Sequence, residues 1–287
     1  MARRDRFVTV DGTELHYAVW GDPDAPTVVC LHGGWQNADA WRPQVDRFAD
    51  EYRVVTVDFR GHGRTGATDA RRYSIDLFVD DVDALLAHLG VEEPILCGLS
   101  MGGMVVQSFL AAYPRRARAA VVGGPIRSMP PVDLPAGVKA AVSPVPTIAG
   151  LASTIGTRAT FESLCRSITA TTGRPWLTVD AGVRAEALAA VDDVTPGEYR
   201  KIFRALYRFE SPDFSAVRTP TLVLYGDHEA PSVKRQGERL AHAVENGSYT
   251  EVDDAGHLVN RDRPAAFNDA CAALFDGVAS SRRDPSR

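Results

Sequence analysis

The sequence predicts an α/β fold, in which a mostly parallel sheet is covered by helices and interrupted by one helical insertion. Three observations point there. Short apolar runs alternate with amphipathic helical patterns, the arrangement of strand–helix–strand units. The runs are apolar almost throughout and not at every second residue, as in strands buried on both faces. The alternation also stops between about residues 126 and 215, then resumes.

Taken in order, FVTV (7–10) and LHYAVW (15–20) flank Asp11-Gly12 and read as an antiparallel hairpin, its loop length left open. Parallel strands follow at TVVCLHG (27–33), RVVTVDF (53–59), PILCGLS (94–100) and ARAAVVG (117–123). The clearest helix spans 75–89, where Ile75, Phe78, Val82, Leu85, Leu86 and Leu89 repeat at three- and four-residue spacing. Ser74 suits its N-cap and Gly90 its stop. Prolines at 125, 130, 131, 135, 144 and 146 then break the pattern, before helical pieces near 158–170, 181–191 and 196–209. The alternation returns with TPTLVLYG (219–226), a helix near 231–244, the strand SYTEV (248–252) and a helix near 263–278. The expected division is a first core part at 1–125, a helical cap at 126–215, a second core part at 216–278, and a disordered tail at 279–287.

Composition narrows the function. With 287 residues, 45% of them hydrophobic, the chain can bury a large core. A net charge of −5 without a clustered basic face argues against nucleic acid as a partner. The apolar stretch around 136–155 carries Lys139, Pro144 and Pro146 and is not expected to span a membrane. MARRDRFVTV has arginines but no apolar run behind them, so no signal peptide is expected and the reading is cytoplasmic. Cys30, Cys97, Cys165 and Cys271 lie far apart, with no metal-ligand spacing. Cys30 and Cys97 sit in apolar strands and read as inert buried thiols. No cofactor and no metal are expected.

Five motifs carry the chemistry. Gly98-Leu99-Ser100-Met101-Gly102-Gly103 joins a strand to a helix. So sharp a turn needs glycines beside a serine that is pushed out above the sheet, and an ordinary Gly/Ser turn would lack the strand before and the helix after. His32-Gly33-Gly34-Trp35 closes the strand 27–33, and its glycines let a backbone N–H approach a developing oxyanion, with the Met101 N–H as second donor. In that loop His32 reads as structural and Trp35 as pocket wall. Asp58-Phe59-Arg60-Gly61-His62-Gly63-Arg64-Thr65 has no phosphate-loop spacing and reads as a structural turn with an internal Asp58–Arg60 network. Gly226-Asp227-His228-Glu229 and Asp254-Ala255-Gly256-His257 follow the last two strands, so their side chains share the carboxyl rim of the sheet, where ligands of open α/β sheets bind.

These motifs, in this order and at this spacing, resemble the α/β-hydrolase superfamily from about residue 7 to 278. GLSMGGM with DFRGHGRT is similar to 3-oxoadipate enol-lactonases and their carboxylesterase relatives. The resemblance implies an α/β-hydrolase fold, Ser100 as nucleophile, His257 as base, and Gly34 and Met101 as oxyanion donors. It implies a small-molecule ester or lactone as substrate. The family's acid stands three residues beyond the strand-end glycine and is usually Asp; here that place holds Glu229, with Asp227 as the alternative acid. A serine nucleophile sets the chain apart from relatives that open epoxides. The same triad also serves cofactor-free perhydrolases, lyases and C–C bond hydrolases, and slow-hydrolysing ligand sensors. Substrate identity and oligomeric state are left open.

Overall fold

A computed structural model of the chain describes residues 3–130, 138–139 and 142–281. The hairpin pairs β1 (Arg4–Val10) with β2 (Thr13–Trp20). Its two turn residues, Asp11 and Gly12, have φ of 45° and 73°, the left-handed geometry that a two-residue hairpin turn requires. Six further strands run parallel: β3 (Thr27–Leu31), β4 (Arg53–Val57), β5 (Ile95–Leu99), β6 (Ala119–Gly123), β7 (Thr221–Gly226) and β8 (Gly247–Val252). The order across the sheet is β1-β2-β4-β3-β5-β6-β7-β8, with β2 antiparallel to β4. Every residue of β3, β5, β6 and β7 is buried, so both faces of the central sheet are covered. That is why these strands read as continuous apolar runs.

The strand order places the site. The chain leaves β3 for β4 on one side and later fills β5 on the other, so the loops after β3 and β5 diverge. In open α/β sheets such a point, at the carboxyl ends of the strands, is where ligands bind. Helices α1 (Arg42–Phe48), α2 (Ile75–Leu89) and α3 (Met101–Ala112) connect the first strands. The predicted bounds of α2 hold. The Ser74 side chain accepts from Leu77 N–H (3.1 Å) and Gly90 stops the helix at φ 67°.

Between β6 and β7 the described residues include α4 (Val145–Thr154), α5 (Thr157–Thr172), α6 (Ala181–Asp192) and α7 (Pro196–Arg208). Helix α4 falls where the prolines read as breakers. Pro144 is its N-cap residue and Pro146 lies in its first turn, where a missing N–H removes no intrahelical bond, so the two prolines start the helix. After β7 come α8 (Pro231–Ala243), α9 (Val259–Asp262) and α10 (Pro264–Ser281), with α10 packed on α1. Residues 279–281, expected in a disordered tail, continue α10, because nothing between Gly277 and Ser281 interrupts the helical bonding; 282–287 lie outside the described residues. No helix among the described residues is long and apolar enough to cross a membrane. The four cysteines are buried and unpaired, with Cys30 and Cys97 neighbours in register across β3 and β5.

The loop after β4 differs from its expected form: Asp58 and Arg60 do not pair. The Asp58 carboxylate accepts from Ala38 N–H (2.7 Å) and Arg64 N–H (3.0 Å) and bonds His16 Nδ1 (2.8 Å). Burial alone would raise this carboxyl, but those partners and His32 hold it below the usual carboxylate range. A Cβ on Gly63 would lie 2.4 Å from Asp58 Cγ, so the loop backbone folds onto the carboxylate and leaves no room for a guanidinium. Arg60 turns away to Asp81 of α2, with contacts of 2.7–3.0 Å, and donates to Val10 O (3.1 Å). Both partners are almost fully buried. Asp81→Asn would leave that guanidinium without its countercharge and is expected to cost about 3 kcal/mol of unfolding free energy, measured in urea. A loss under about 1 kcal/mol would show the pair to be dispensable.

Candidate active site

Ser100 stands between β5 and α3 with φ 53° and ψ −110°. A non-glycine residue holds such a conformation only when its surroundings enforce it. Ser100 N–H donates to Gly123 O at the end of β6 (2.8 Å), and Ser100 O accepts from Met104 N–H (3.0 Å). Strand and helix meet backbone to backbone. A Cβ at Gly98 would lie 2.3 Å from Gly102 O, and one at Gly102 would lie 2.0 Å from Leu31 O. Met101 is the first residue of α3, so its N–H is one that the helix leaves without an internal partner, at the positive end of the helix dipole.

His257 packs at the end of β6, next to the Gly123 carbonyl that holds Ser100 N–H. It lies against Gly124, whose φ is 53° and whose Cβ, if present, would be 2.9 Å from His257 Cε1. The imidazole is buried, and its Nδ1 is 2.5 Å from Glu229 Oε2. Glu229 is buried as well, and its Oε1 accepts from Ala230 N–H (2.9 Å). Asp227 is directed elsewhere. Its Oδ1 accepts from Ala255 N–H (3.1 Å), and Oδ2 is 3.2 Å from the Arg174 guanidinium. The carboxylate beside His257 is thus that of Glu229.

The loop after β3 completes the arrangement. A Cβ at Gly33 would be 3.5 Å from Ser100 Cβ, and one at Gly34 would be 3.3 Å from Leu206 and 3.9 Å from Met101 Cβ. Trp35 is buried and stacks on Tyr199 of α7, with centroids 4.6 Å apart, and meets Phe161 of α5 at 5.5 Å. Two neutral histidines shape this loop from below. His32 accepts from Phe59 N–H at Nε2 (3.1 Å) and so donates from Nδ1 to Gly33 O (2.7 Å). His62 accepts from Trp35 N–H at Nε2 (3.0 Å) and donates from Nδ1 to Arg60 O (3.0 Å). Burial pushes both imidazoles below their usual range, His62 to about 3.

One contact residue had no signal in the sequence. Trp176, in the link between α5 and α6, donates from Nε1 to Glu229 Oε1 (2.5 Å), and its ring stacks on His257 at 4.7 Å. It lies in Arg174-Pro175-Trp176, which has neither periodicity nor motif, and only tertiary folding brings it there.

With this geometry in view, residues 28–270 match the alpha/beta hydrolase family, and the chain belongs to that family. It is 28% identical over 278 residues to 3-oxoadipate enol-lactonase 2 of Acinetobacter baylyi, covering 93% of this chain and 95% of that protein. It is 24% identical over 280 residues to a carboxylesterase of Bacillus subtilis, covering 94% and 87%. Among solved structures, the enol-lactonase from Burkholderia xenovorans LB400 is similar with a TM-score of 0.75 and 27% identity, covering 94% of this chain and 100% of that one.

The histidine scaffold has a pH signature. An unfolded imidazole titrates near ~6.5, so the stability that neutral His62 contributes is present above about pH 6.5 and is lost as pH falls toward about 3. The melting temperature is expected to decline through that window. His62→Gln, which does not titrate, should melt lower at neutral pH but with a flatter acid decline in thermal melts at about pH 7.5, 5.5 and 4.5. Equal slopes in the two proteins would remove His62 as the source.

Proposed function

We propose that the chain hydrolyses a carboxylic ester or lactone of a small molecule through an acyl-enzyme at Ser100. The observation that carries this reading is the 2.5 Å contact of His257 Nδ1 with Glu229, both buried, with His257 packed on Gly124, the residue after the Gly123 carbonyl that accepts from Ser100 N–H. With Nδ1 held by the carboxylate, Nε2 is the nitrogen that takes the Ser100 proton as Oγ attacks the acyl carbon. The N–H groups of Gly34 and Met101 hold the oxyanion. The tetrahedral intermediate then expels the alkoxide or enolate, which takes its proton from His257. Water, deprotonated by His257, attacks the acyl-enzyme, and collapse releases the carboxylic acid and returns Ser100 its proton. In a lactone the leaving oxygen stays on the acyl chain throughout, so the second step releases a single product that carries both the new carboxyl and the freed hydroxyl or enol. Glu229 stabilises the imidazolium formed in each half-reaction.

The names of the relatives, an enol-lactonase and a carboxylesterase, support ester and lactone chemistry over the other reactions such a triad serves. Trp35, with Phe161, Tyr199 and Phe203, is read as an apolar wall, so residues 126–215 act as a cap that governs which acyl group enters. No cofactor takes part in this cycle. Four unpaired buried cysteines favour a reducing, cytoplasmic setting.

A panel of p-nitrophenyl esters and simple lactones tests the reading. Ser100→Ala is expected to lower kcat by about 10⁵-fold or more without unfolding the chain. Glu229→Gln is expected to lower it by about 10³-fold, and Asp227→Asn by less than about tenfold. Retained turnover in Ser100→Ala would overturn the mechanism, and the reverse ranking of the two carboxylates would move the acid to Asp227.

A further inference from the structure

Trp176 belongs to the helical insertion, yet it touches both members of the His257–Glu229 pair. Its indole lies over the imidazole, centroids 4.7 Å apart and planes 29° from parallel. Its Nε1–H donates to Glu229 Oε1 at 2.5 Å, while Oε2 meets His257 Nδ1. Its carbonyl accepts from His257 N–H (2.7 Å), and the next carbonyl, of Leu177, accepts from Leu258 N–H (2.9 Å). The link is fastened on either side. Arg174 donates to Asp227 O (3.3 Å), and Asp262 accepts from Thr178, from Val179 N–H (3.1 Å) and from Gly256 N–H (2.8 Å). A Cβ at Gly256 would lie 2.5 Å from Trp176 O, so the absence of a side chain there admits the link.

We propose that Trp176 is a positioning residue for the hydrolytic reaction, fixing the Glu229 carboxylate and the His257 ring and so tying the placement of the insertion to turnover. The inference rests on the acyl-enzyme reading above. Glutamate has one more rotatable bond than aspartate, and a carboxylate held through one oxygen alone can swing that oxygen off Nδ1. Trp176 Nε1–H and Ala230 N–H occupy the second oxygen, leaving Oε2 a single orientation. The stacked indole fixes the plane of the imidazole and keeps water from it. A tryptophan that merely packed the insertion would influence stability and substrate entry, but not the rate of the chemical step once substrate is bound.

Two replacements separate the possibilities. Trp176→Phe keeps a ring over His257 and removes the donor. Benzothienylalanine, incorporated at 176, keeps the shape and packing of tryptophan and lacks only the N–H. Rates on a neutral p-nitrophenyl ester are normalised to sites titrated with a serine-directed organophosphonate, so that unfolded protein is not counted. Both proteins are expected to lose about tenfold in kcat, the size of one charge-assisted hydrogen bond, with KM changed by less than about twofold. In the Glu229→Gln background, where no carboxylate remains to be held, either replacement is expected to have almost no further effect. Unchanged kcat in the benzothienylalanine protein, or a loss that multiplies in full with that of Glu229→Gln, would reduce Trp176 to packing and overturn the inference while leaving the functional reading intact. Undiminished hydrolysis by Ser100→Ala would instead overturn the functional reading, and this inference with it.

Discussion

The site depends on how closely three backbone segments approach one another: the end of β3, the end of β5 and the first turn of α3. Gly98 and Gly102 make this contact possible, since any side chain at either would collide with a carbonyl oxygen. Ser100 is carried on the junction at a positive φ whose strain is of order 1–3 kcal/mol. The buried parallel sheet offsets that strain. Ser100 N–H is tied to β6, Gly102 N–H to His32 O (3.1 Å), and α3 packs on β3, β5 and β6. The serine cannot relax without lifting a helix off the central strands.

Around this junction, histidine serves two physical ends. His32 and His62 are buried with their rings 4.8 Å apart, and each uses one nitrogen as acceptor and the other as donor, which only a neutral ring can do. They act as rigid connectors between the loops after β3 and β4. His257 differs in having a carboxylate at Nδ1, the partner that can support a positive charge on the ring. His16 also meets carboxylates, but on strand β2 of the hairpin, between Asp5 of β1 and Asp58. Residue type alone would not distinguish these roles; the partner atoms do.

What the sequence could and could not reveal follows from the range of the interactions involved. Helix α2 was legible to the residue because its apolar spacing, N-cap and C-terminal glycine are local signals that agree. The strands were legible as apolar runs, though the edges of several were read one to two residues too long, since a run does not show where pairing ends. The loops that carry Ser100, His257, Asp227 and Glu229 were legible because each follows the carboxyl end of a strand, and parallel strands bring such ends together; the preference for Glu229 over Asp227 came from the spacing of the family the sequence resembles. Helix α4 was missed because proline was taken as a breaker where it occupies a first turn. The Arg60–Asp81 pair and the contacts of Trp176 depend on side-chain direction and on the path of the insertion, which leave no periodic trace in one chain.

The closeness of the loops after β7 and β8 bears on how this scaffold can be recombined. A Cβ at Gly226 would lie 1.9 Å from Ala255 O, Asp227 N–H donates to Val252 O and His228 N–H to Ala255 O (both 3.0 Å). Asp227 also grips Ala255 N–H through its side chain. The two loops therefore interlock as one solid piece, although about 25 residues of chain, including all of α8, separate them. A chimera that exchanged only one of them with a relative would misfit at the backbone itself, where no rotamer change can relieve the clash. Crossover points that respect this lie before β7 and beyond α9, so that both loops travel together as a cassette.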